Sequence, residues 1–147
     1  MALKYTCEID INKPRSMVVE LIDNPDNMVH WQPGFISMET IEGEPGADGS
    51  KSLLKYKMGK RNIEMVETII KRDFPDEFSA TYEAKGVYNK QVNTFYEVDE
   101  NTTKWVSDTY FELKGFIMIM GWLMPGSFKK QSMTYLKLFK EFAEKQD

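Results

Sequence analysis

The sequence KWVSDTYFEL (Lys104–Leu113), followed by KGFIMIMGWLM (Lys114–Met124), decides the fold of this chain. In the first segment the side chains alternate between two faces, which is the period of a β-strand. In the second segment nearly every residue is apolar, and from Ser127 to Gln146 apolar residues recur at helical spacing. A helical region this apolar needs a cover. We therefore expect a curved sheet that grips a long C-terminal helix, an arrangement that leaves room for a ligand.

The chain before this region consists of strand-like segments joined by turns. Six segments have the alternation or composition of strands: Leu3–Ile11, Phe35–Glu42, Ser50–Met58, Asn62–Arg72, Glu77–Ala84 and Val87–Val98. Two short helices are predicted between the first two strands, one opening at Asn12-Lys13-Pro14 and one running from Asn24-Pro25 to about His30-Trp31. Hairpin connections predict a mostly antiparallel sheet. Because no repeat or linker interrupts the pattern, we expect residues 1–147 to form one domain.

Composition excludes several classes of protein. The net charge of −4 argues against a general nucleic-acid binder, which needs a basic surface to neutralise phosphates. A single cysteine, Cys7, excludes an internal disulfide, and the N-terminus lacks a secretory signal, so a soluble cytoplasmic protein is expected. The apolar run Phe116–Met124 is far shorter than the roughly 20 residues that span a bilayer, so stable membrane insertion is not expected. One His and one Cys give no support for a metal site, and no cofactor is expected.

Turn and helix-start motifs carry a resemblance to a known family. They are Asn12-Lys13-Pro14, Asn24-Pro25 with His30–Gly34, Gly43 to Ser50, Gly59-Lys60-Arg61, Asp73-Phe74-Pro75 and Phe128–Gln131. With these motifs, essentially the whole chain resembles the helix-grip fold of the START and birch-pollen-allergen superfamily. Within it, the chain is most similar to the bacterial polyketide cyclase/dehydrase-like (SRPBCC) group. The resemblance implies an α+β fold in which a curved antiparallel sheet of about seven strands and two short helices wrap a long C-terminal helix.

The same resemblance implies a range of functions. Members of the superfamily bind lipids, sterols, polyketides or plant hormones in the cavity, some cyclise or hydrolyse their ligands, and others are chaperone cofactors. These motifs are structural and contain no catalytic signature, so the resemblance favours an apolar ligand site without selecting a reaction.

The strand patterns predict which side chains line that cavity. The inward faces of the strands supply Tyr56, Met65, Tyr82, Asn93, Phe95, Trp105, Thr109 and Phe111. The apolar helical segment supplies Met120, Leu123 and Met124, as a pocket wall or movable portal; the alternative is an ordinary buried helical turn. Trp31, at the end of the second short helix, is a further candidate for ligand contact, although packing against the sheet edge is the simpler role.

Three polar side chains are candidates for acid–base chemistry or for orienting a substrate. An inward Glu67 would be desolvated, which raises the pKa of a carboxyl group and suits it to proton transfer. The adjacent Ile69 and Ile70 favour a bulge that turns Glu67 to solvent, so the inward face of Asn62–Arg72 stays ambiguous. Asn93 could orient a substrate. His30 is the only side chain whose ordinary pKa is near neutrality, although a surface position suits it better.

Three functions remain open from the sequence. The leading hypothesis is a binding protein, monomeric or homodimeric, whose partner is a small hydrophobic or amphipathic molecule. The second is a cyclase/dehydrase-type or hydrolase-type enzyme, which requires Glu67 or His30 to face the cavity. The third is an interaction module, which requires an exposed apolar patch and a filled interior.

Overall fold

A single antiparallel sheet of seven strands organises the computed structural model, which describes all residues from Met1 to Asp147. The strand order is β1-β7-β6-β5-β4-β3-β2. The strands are β1 (Ala2–Ile11), β2 (Phe35–Glu42), β3 (Lys51–Met58), β4 (Arg61–Asp73), β5 (Glu77–Ala84), β6 (Val87–Asp99) and β7 (Thr102–Leu113). The predicted α+β class and the seven antiparallel strands are confirmed, and the ends of the strands differ from the prediction by at most two residues.

The helices lie between β1 and β2 and after β7. They are α1 (Arg15–Asp23), α2 (Met28–Trp31), α3 (Phe116–Leu123) and α4 (Pro125–Glu144), with a 3₁₀ turn at Pro25–Asn27 before α2. The Asn24 side chain accepts a hydrogen bond from the Asp26 amide at 3.0 Å and so caps this turn. Pro125 begins α4 instead of interrupting the chain before a helix at Ser127, because proline is favoured in a first helical turn. None of the helices combines the length and apolarity needed to cross a bilayer.

A bulge in β4 settles which of its side chains face inward. The pairing between β4 and β5 shifts register between Ile69 and Lys71, which leaves Ile70 exposed to solvent. The bulge lies after Glu67, so Met65, Glu67 and Ile69 all remain on one face of the strand. The interpretation that a bulge turns Glu67 to solvent is therefore wrong: the bulge exists, but three residues further along.

The aromatic core fills one half of the interior, where α4 crosses the sheet. We use this name for Trp31, Phe95, Trp105 and Phe139. Phe139 of α4 contacts both tryptophan rings edge-on, at centroid distances of 5.2 Å to Trp31 and 5.4 Å to Trp105. Phe95 stacks on Trp105 at 6.0 Å. Such contacts add to the stabilisation from burial of large apolar surfaces.

A glycine fixes the turn between α2 and β2 against the sheet. Gly34 has a φ of 77°, and a Cβ at this position would lie 2.3 Å from the Lys57 carbonyl oxygen. The turn can therefore approach β3 only with glycine at residue 34. Next to it, the Tyr56 hydroxyl donates a hydrogen bond to Gln32 Oε1 at 2.6 Å.

Candidate functional site

Four polar side chains cross the inward face of the sheet side by side. Cα pairing places Ser52 opposite Glu67, Glu67 opposite Tyr82, and Tyr82 opposite Asn89. We call these four residues the polar row. Asn89 in turn pairs with Phe111, whose ring contacts Phe128 of α4 at 5.2 Å. The polar row therefore lies on the face of the sheet that α4 covers.

Glu67 is a buried acid in this row. Only 6% of its surface is exposed, and burial raises the pKa of its carboxyl group above 4.5. The neighbouring Tyr82 hydroxyl partly offsets this rise in pKa. A carboxyl group that holds its proton to higher pH can donate a hydrogen bond or transfer a proton inside an apolar site.

Tyr82 is surrounded by protein but keeps some accessible surface. Burial raises the pKa of its hydroxyl well above 10, with a further contribution from the charge of Glu67. Its surface is nevertheless only partly buried. The neutral Tyr82 hydroxyl can therefore donate a hydrogen bond to a molecule that reaches this surface.

Asn89 contributes a hydrogen-bond acceptor that has no partner in the protein. The residue is 5% exposed, and its Oδ1 is one of two buried side-chain polar atoms without a hydrogen-bond partner; the other is Trp31 Nε1. Since nearly all buried polar atoms in proteins are hydrogen-bonded, this unpaired carbonyl oxygen makes the polar row a candidate ligand site. Asn89 and Ser52 were not predicted as site residues, although Asn89 lies on the same face of β6 as Asn93 and Phe95.

Partly buried and aromatic side chains surround the row. Met65 and Phe111, both ligand candidates, are partly buried on the same face, and Thr109 is buried two residues from Phe111. Tyr56 is buried in β3, and this burial raises the pKa of its hydroxyl. At the other side, Tyr5 shares a hydrogen bond with Ser132 of α4 at 2.7 Å, and burial raises its pKa to about 12. The hydroxyl groups at both sides are therefore neutral at ordinary pH.

Other candidates lie in the aromatic core. Phe95 and Trp105 are almost fully buried there against Phe139, and Trp31 packs beside them. Asn93 Oδ1 accepts a hydrogen bond from the Trp105 indole nitrogen at 2.9 Å, so this oxygen already has a partner. The two asparagines of β6 therefore differ: the Asn93 oxygen is hydrogen-bonded within the aromatic core, and the Asn89 oxygen is unpaired.

His30 lies outside the polar row. Its exposed ring stacks on Phe142 of α4 at a centroid distance of 5.5 Å. Beside it is a surface pocket of about 220 Å³, lined by residues 29–35 and Leu138. A shallower depression of about 690 Å³ lies on the outer face of β1, β6 and β7. Neither contains a member of the polar row, so the row is identified by its buried polar atoms and not by these depressions.

The helical candidates do not face the interior. Met120, Leu123 and Met124 are exposed, Leu123 to 73%. The expectation that they point inward is therefore wrong. The reason is the position of α3, which begins beyond the end of β7 and packs against β7 and α4. No group of three or more His, Cys, Asp or Glu side chains is placed to hold a metal ion.

Comparison with known proteins identifies the fold. No protein-family model matches this chain, and no curated protein matches it in sequence. The crystal structure of Ara h 8.0201 superposes with a TM-score of 0.79 at 13% identity, covering 99% of this chain and 100% of that chain. A conserved protein from Geobacillus kaustophilus gives a TM-score of 0.79 at 16% identity, with 97% and 96% covered.

An enzyme has the same architecture. Norcoclaurine synthase from Thalictrum flavum, in complex with dopamine and hydroxybenzaldehyde, superposes with a TM-score of 0.70 at 16% identity, covering 100% of this chain and 90% of that chain. These likenesses confirm the predicted helix-grip fold, in which a curved antiparallel sheet wraps a long C-terminal helix. At such identities they describe the fold, and function has to be argued from the site.

Proposed function

We propose that this protein, acting as one domain, binds a small hydrophobic or amphipathic molecule between the sheet and α4. The observation that carries the proposal is the polar row, which combines the unpaired Asn89 oxygen, the neighbouring Tyr82 hydroxyl and the buried Glu67. Ligand pockets in proteins are mostly apolar with a few convergent polar groups, and the partly buried Met65 and Phe111 supply the apolar part. A lipid, a sterol and a polyketide-like molecule all have this character.

The polar row also suggests what the polar end of the ligand is. Asn89 Oδ1 accepts a hydrogen bond, so the ligand must donate one. The Tyr82 hydroxyl and a protonated Glu67 can donate, so the ligand should also accept. A hydroxyl group does both. The most suitable ligand is therefore an apolar molecule with at least one alcohol or phenol group.

A protein of the same fold binds molecules of this kind. The norcoclaurine synthase complex contains dopamine and hydroxybenzaldehyde, two small aromatic compounds with phenolic hydroxyl groups. This supports the proposed ligand class at the level of the fold.

An enzymatic role is the second candidate, and the buried Glu67 favours it. A carboxyl group with a raised pKa beside a bound hydroxyl group is placed for general acid or base catalysis, as a cyclase/dehydrase-type or hydrolase-type reaction requires. With His30 at the surface, Glu67 is the remaining acid–base candidate within the site. Glu67→Gln should then abolish turnover of a bound substrate while leaving it bound; equal turnover by the variant would remove this candidate.

The test of the binding function starts with the ligand. Native mass spectrometry of protein purified from cells, followed by extraction, identifies any stoichiometric adduct. A panel of fatty acids, sterols, flavonoids and polyketide mimics is then ranked by the rise in melting temperature. We expect hydroxylated hydrophobic compounds to bind best. Failure of the whole panel, together with a protein free of adducts, would contradict the proposal.

A matched pair of variants tests the site. Tyr82→Phe removes the hydroxyl from the polar row, and Tyr96→Phe removes one from the exposed end of β6. Loss of one hydrogen bond should weaken a hydroxylated ligand by about threefold to tenfold in Tyr82→Phe and leave it unchanged in Tyr96→Phe. Equal affinities of both variants would place the ligand elsewhere.

A further inference from the structure

The outer face of α3 is an exposed apolar surface without a partner in the fold. Six of the nine residues from Phe116 to Met124 are exposed apolar side chains: Phe116, Ile119, Met120, Trp122, Leu123 and Met124. The other exposed large apolar residues are scattered along the chain, and no more than two of them, Tyr96 and Val98, lie close together in the sequence. Isolated exposures of that kind are normal, whereas a contiguous group marks an interaction site.

The packing of α3 fixes which side is left open. Its inner side carries Gly121, which is buried, and a Cβ there would lie 2.7 Å from Leu113 Cδ1 and 3.0 Å from the Met1 sulfur. Ile117 and Met118 are partly buried on the same side. A surface helix normally has a polar outer side, but α3 has none. The absence of Cβ at residue 121 lets α3 lie closely on the sheet and holds its apolar outer side outwards.

The charge around α3 shows what kind of surface could cover it. From Leu113 to Lys140 the chain contains five lysines and no Asp or Glu, although the whole protein is acidic. The other 14 of the 19 Lys and Arg residues share the rest of the chain with all 23 Asp and Glu residues. Lys114 precedes α3, and Lys129 and Lys130 occupy the first turns of α4; all three are exposed. An apolar helix bordered by lysines complements a layer of apolar chains beneath anionic headgroups.

We propose that α3 docks this protein on the surface of an anionic lipid membrane. Phe116, Trp122 and Leu123 enter the boundary between headgroups and acyl chains, where aromatic residues are favoured. Lys129 and Lys130 contact the lipid phosphates. The helix is too short to cross a bilayer, so the protein lies on the membrane and binds it reversibly. This inference needs no ligand in the interior, and its test is independent of the proposed binding function.

Tryptophan fluorescence measures this contact directly. Trp31 and Trp105 are 8% and 4% exposed, whereas Trp122 is 62% exposed, so a blue shift on membrane binding reports α3. The protein is mixed with vesicles of phosphatidylcholine alone and of phosphatidylcholine with phosphatidylglycerol, and binding is confirmed by cosedimentation. We expect a blue shift and cosedimentation with the mixed vesicles, weaker binding to phosphatidylcholine, and a loss of the difference at high salt.

Substitutions at two exposed apolar residues test whether vesicle binding depends on α3 or on exposed apolar side chains in general. Leu123→Ser should weaken vesicle binding by about tenfold, since one leucine no longer enters the membrane. Val98→Ser, on the outer face of β6, should leave binding unchanged. The double variant Lys129→Gln, Lys130→Gln should weaken binding to the mixed vesicles but not to phosphatidylcholine. Because all four side chains are exposed, the melting temperatures should stay close to that of the unchanged protein.

The same variants can overturn the proposal. Absence of binding to both kinds of vesicle would refute it, as would equal vesicle binding by Leu123→Ser and the unchanged protein. A further contrary result is a dimer in sedimentation velocity that Leu123→Ser dissociates while neither protein binds vesicles. In that case a second copy of the chain covers α3.

Discussion

The two halves of the interior share one sheet face but differ in how that face is covered. In the aromatic core, α4 lays Phe139 directly on Trp105, and the side chains there are almost fully buried. Along the polar row, buried polar groups lie among side chains that keep accessible surface. Strand β6 contributes to both halves: Asn93 and Phe95 belong to the first, and Asn89 belongs to the second.

The difference indicates which half carries stability and which half would hold the proposed ligand. In the first half, the polar Asn93 is paired with the Trp105 indole, and Trp31 Nε1 is the one buried side-chain polar atom without a partner. In the second, Glu67 is buried and Asn89 keeps an unpaired oxygen, and both features reduce the stability of the free protein. A chain that tolerates such costs in one place is expected to use that place for function.

Truncation of one aromatic ring in each half tests this difference on the largest scale. Phe139→Ala removes a fully buried ring and should lower the free energy of unfolding by about 3–5 kcal/mol. Phe111→Ala removes a partly buried ring beside the polar row and should cost less than half as much, because part of that ring is accessible already in the folded protein. Urea unfolding followed by circular dichroism measures both. Equal losses would mean that the second half is packed as fully as the first.

The two asparagines of β6 offer a sharper comparison, since the same substitution should have opposite effects. Asn93→Leu leaves the Trp105 N–H buried without an acceptor and should destabilise the protein by about 1–3 kcal/mol. Asn89→Leu removes a carbonyl oxygen that has no partner and should stabilise the free protein by about 1 kcal/mol. Urea unfolding without added ligand measures whether each variant is more or less stable than the unchanged protein.

Ligand binding by the asparagine variants completes that comparison. Asn89→Leu should bind a hydroxylated ligand less tightly than the unchanged protein, although its unfolding free energy is higher. Asn93→Leu, below its own unfolding transition, should keep its affinity for the ligand. If Asn89→Leu is destabilised, the Asn89 side chain is part of the structure, and the distinction between the two halves fails at this residue.

Local patterns in the sequence were sufficient for the architecture. Alternation along Thr103–Leu113 and the helical spacing after Ser127 are properties of the segments themselves, and both elements are present. The exposure of α3 could not be read in this way. Apolarity shows that Phe116–Met124 avoids water but not what covers it, and its outward position depends on how closely Gly121 approaches Leu113.

The site depended on register, which the sequence specifies poorly. The pair Ile69 and Ile70 correctly indicated a bulge, but only the pairing with β5 shows that the shift follows Glu67 and leaves it inside. Likewise, Asn89 and Asn93 are equivalent in the alternation of β6. What separates them is the Trp105 indole on the neighbouring strand, within hydrogen-bond distance of one and not of the other.

The smallest expected effect is a pH-dependent difference in stability between the unchanged protein and its Glu67→Gln variant. The pKa of Glu67 is raised on folding, so between the ordinary value of 4.5 and the folded value the native protein binds more protons than the unfolded chain. The contribution of Glu67 to stability must therefore fall as pH rises through this window and then level off. Glu67→Gln has no carboxyl group to titrate at this position. Its free energy of unfolding should therefore equal that of the unchanged protein at low pH and exceed it by a growing amount as the pH rises above 4.5. A constant difference between Glu67→Gln and the unchanged protein would mean that Glu67 titrates as it does in the unfolded chain. In that case the argument for Glu67 as an internal acid, and with it the enzymatic candidate, would be lost.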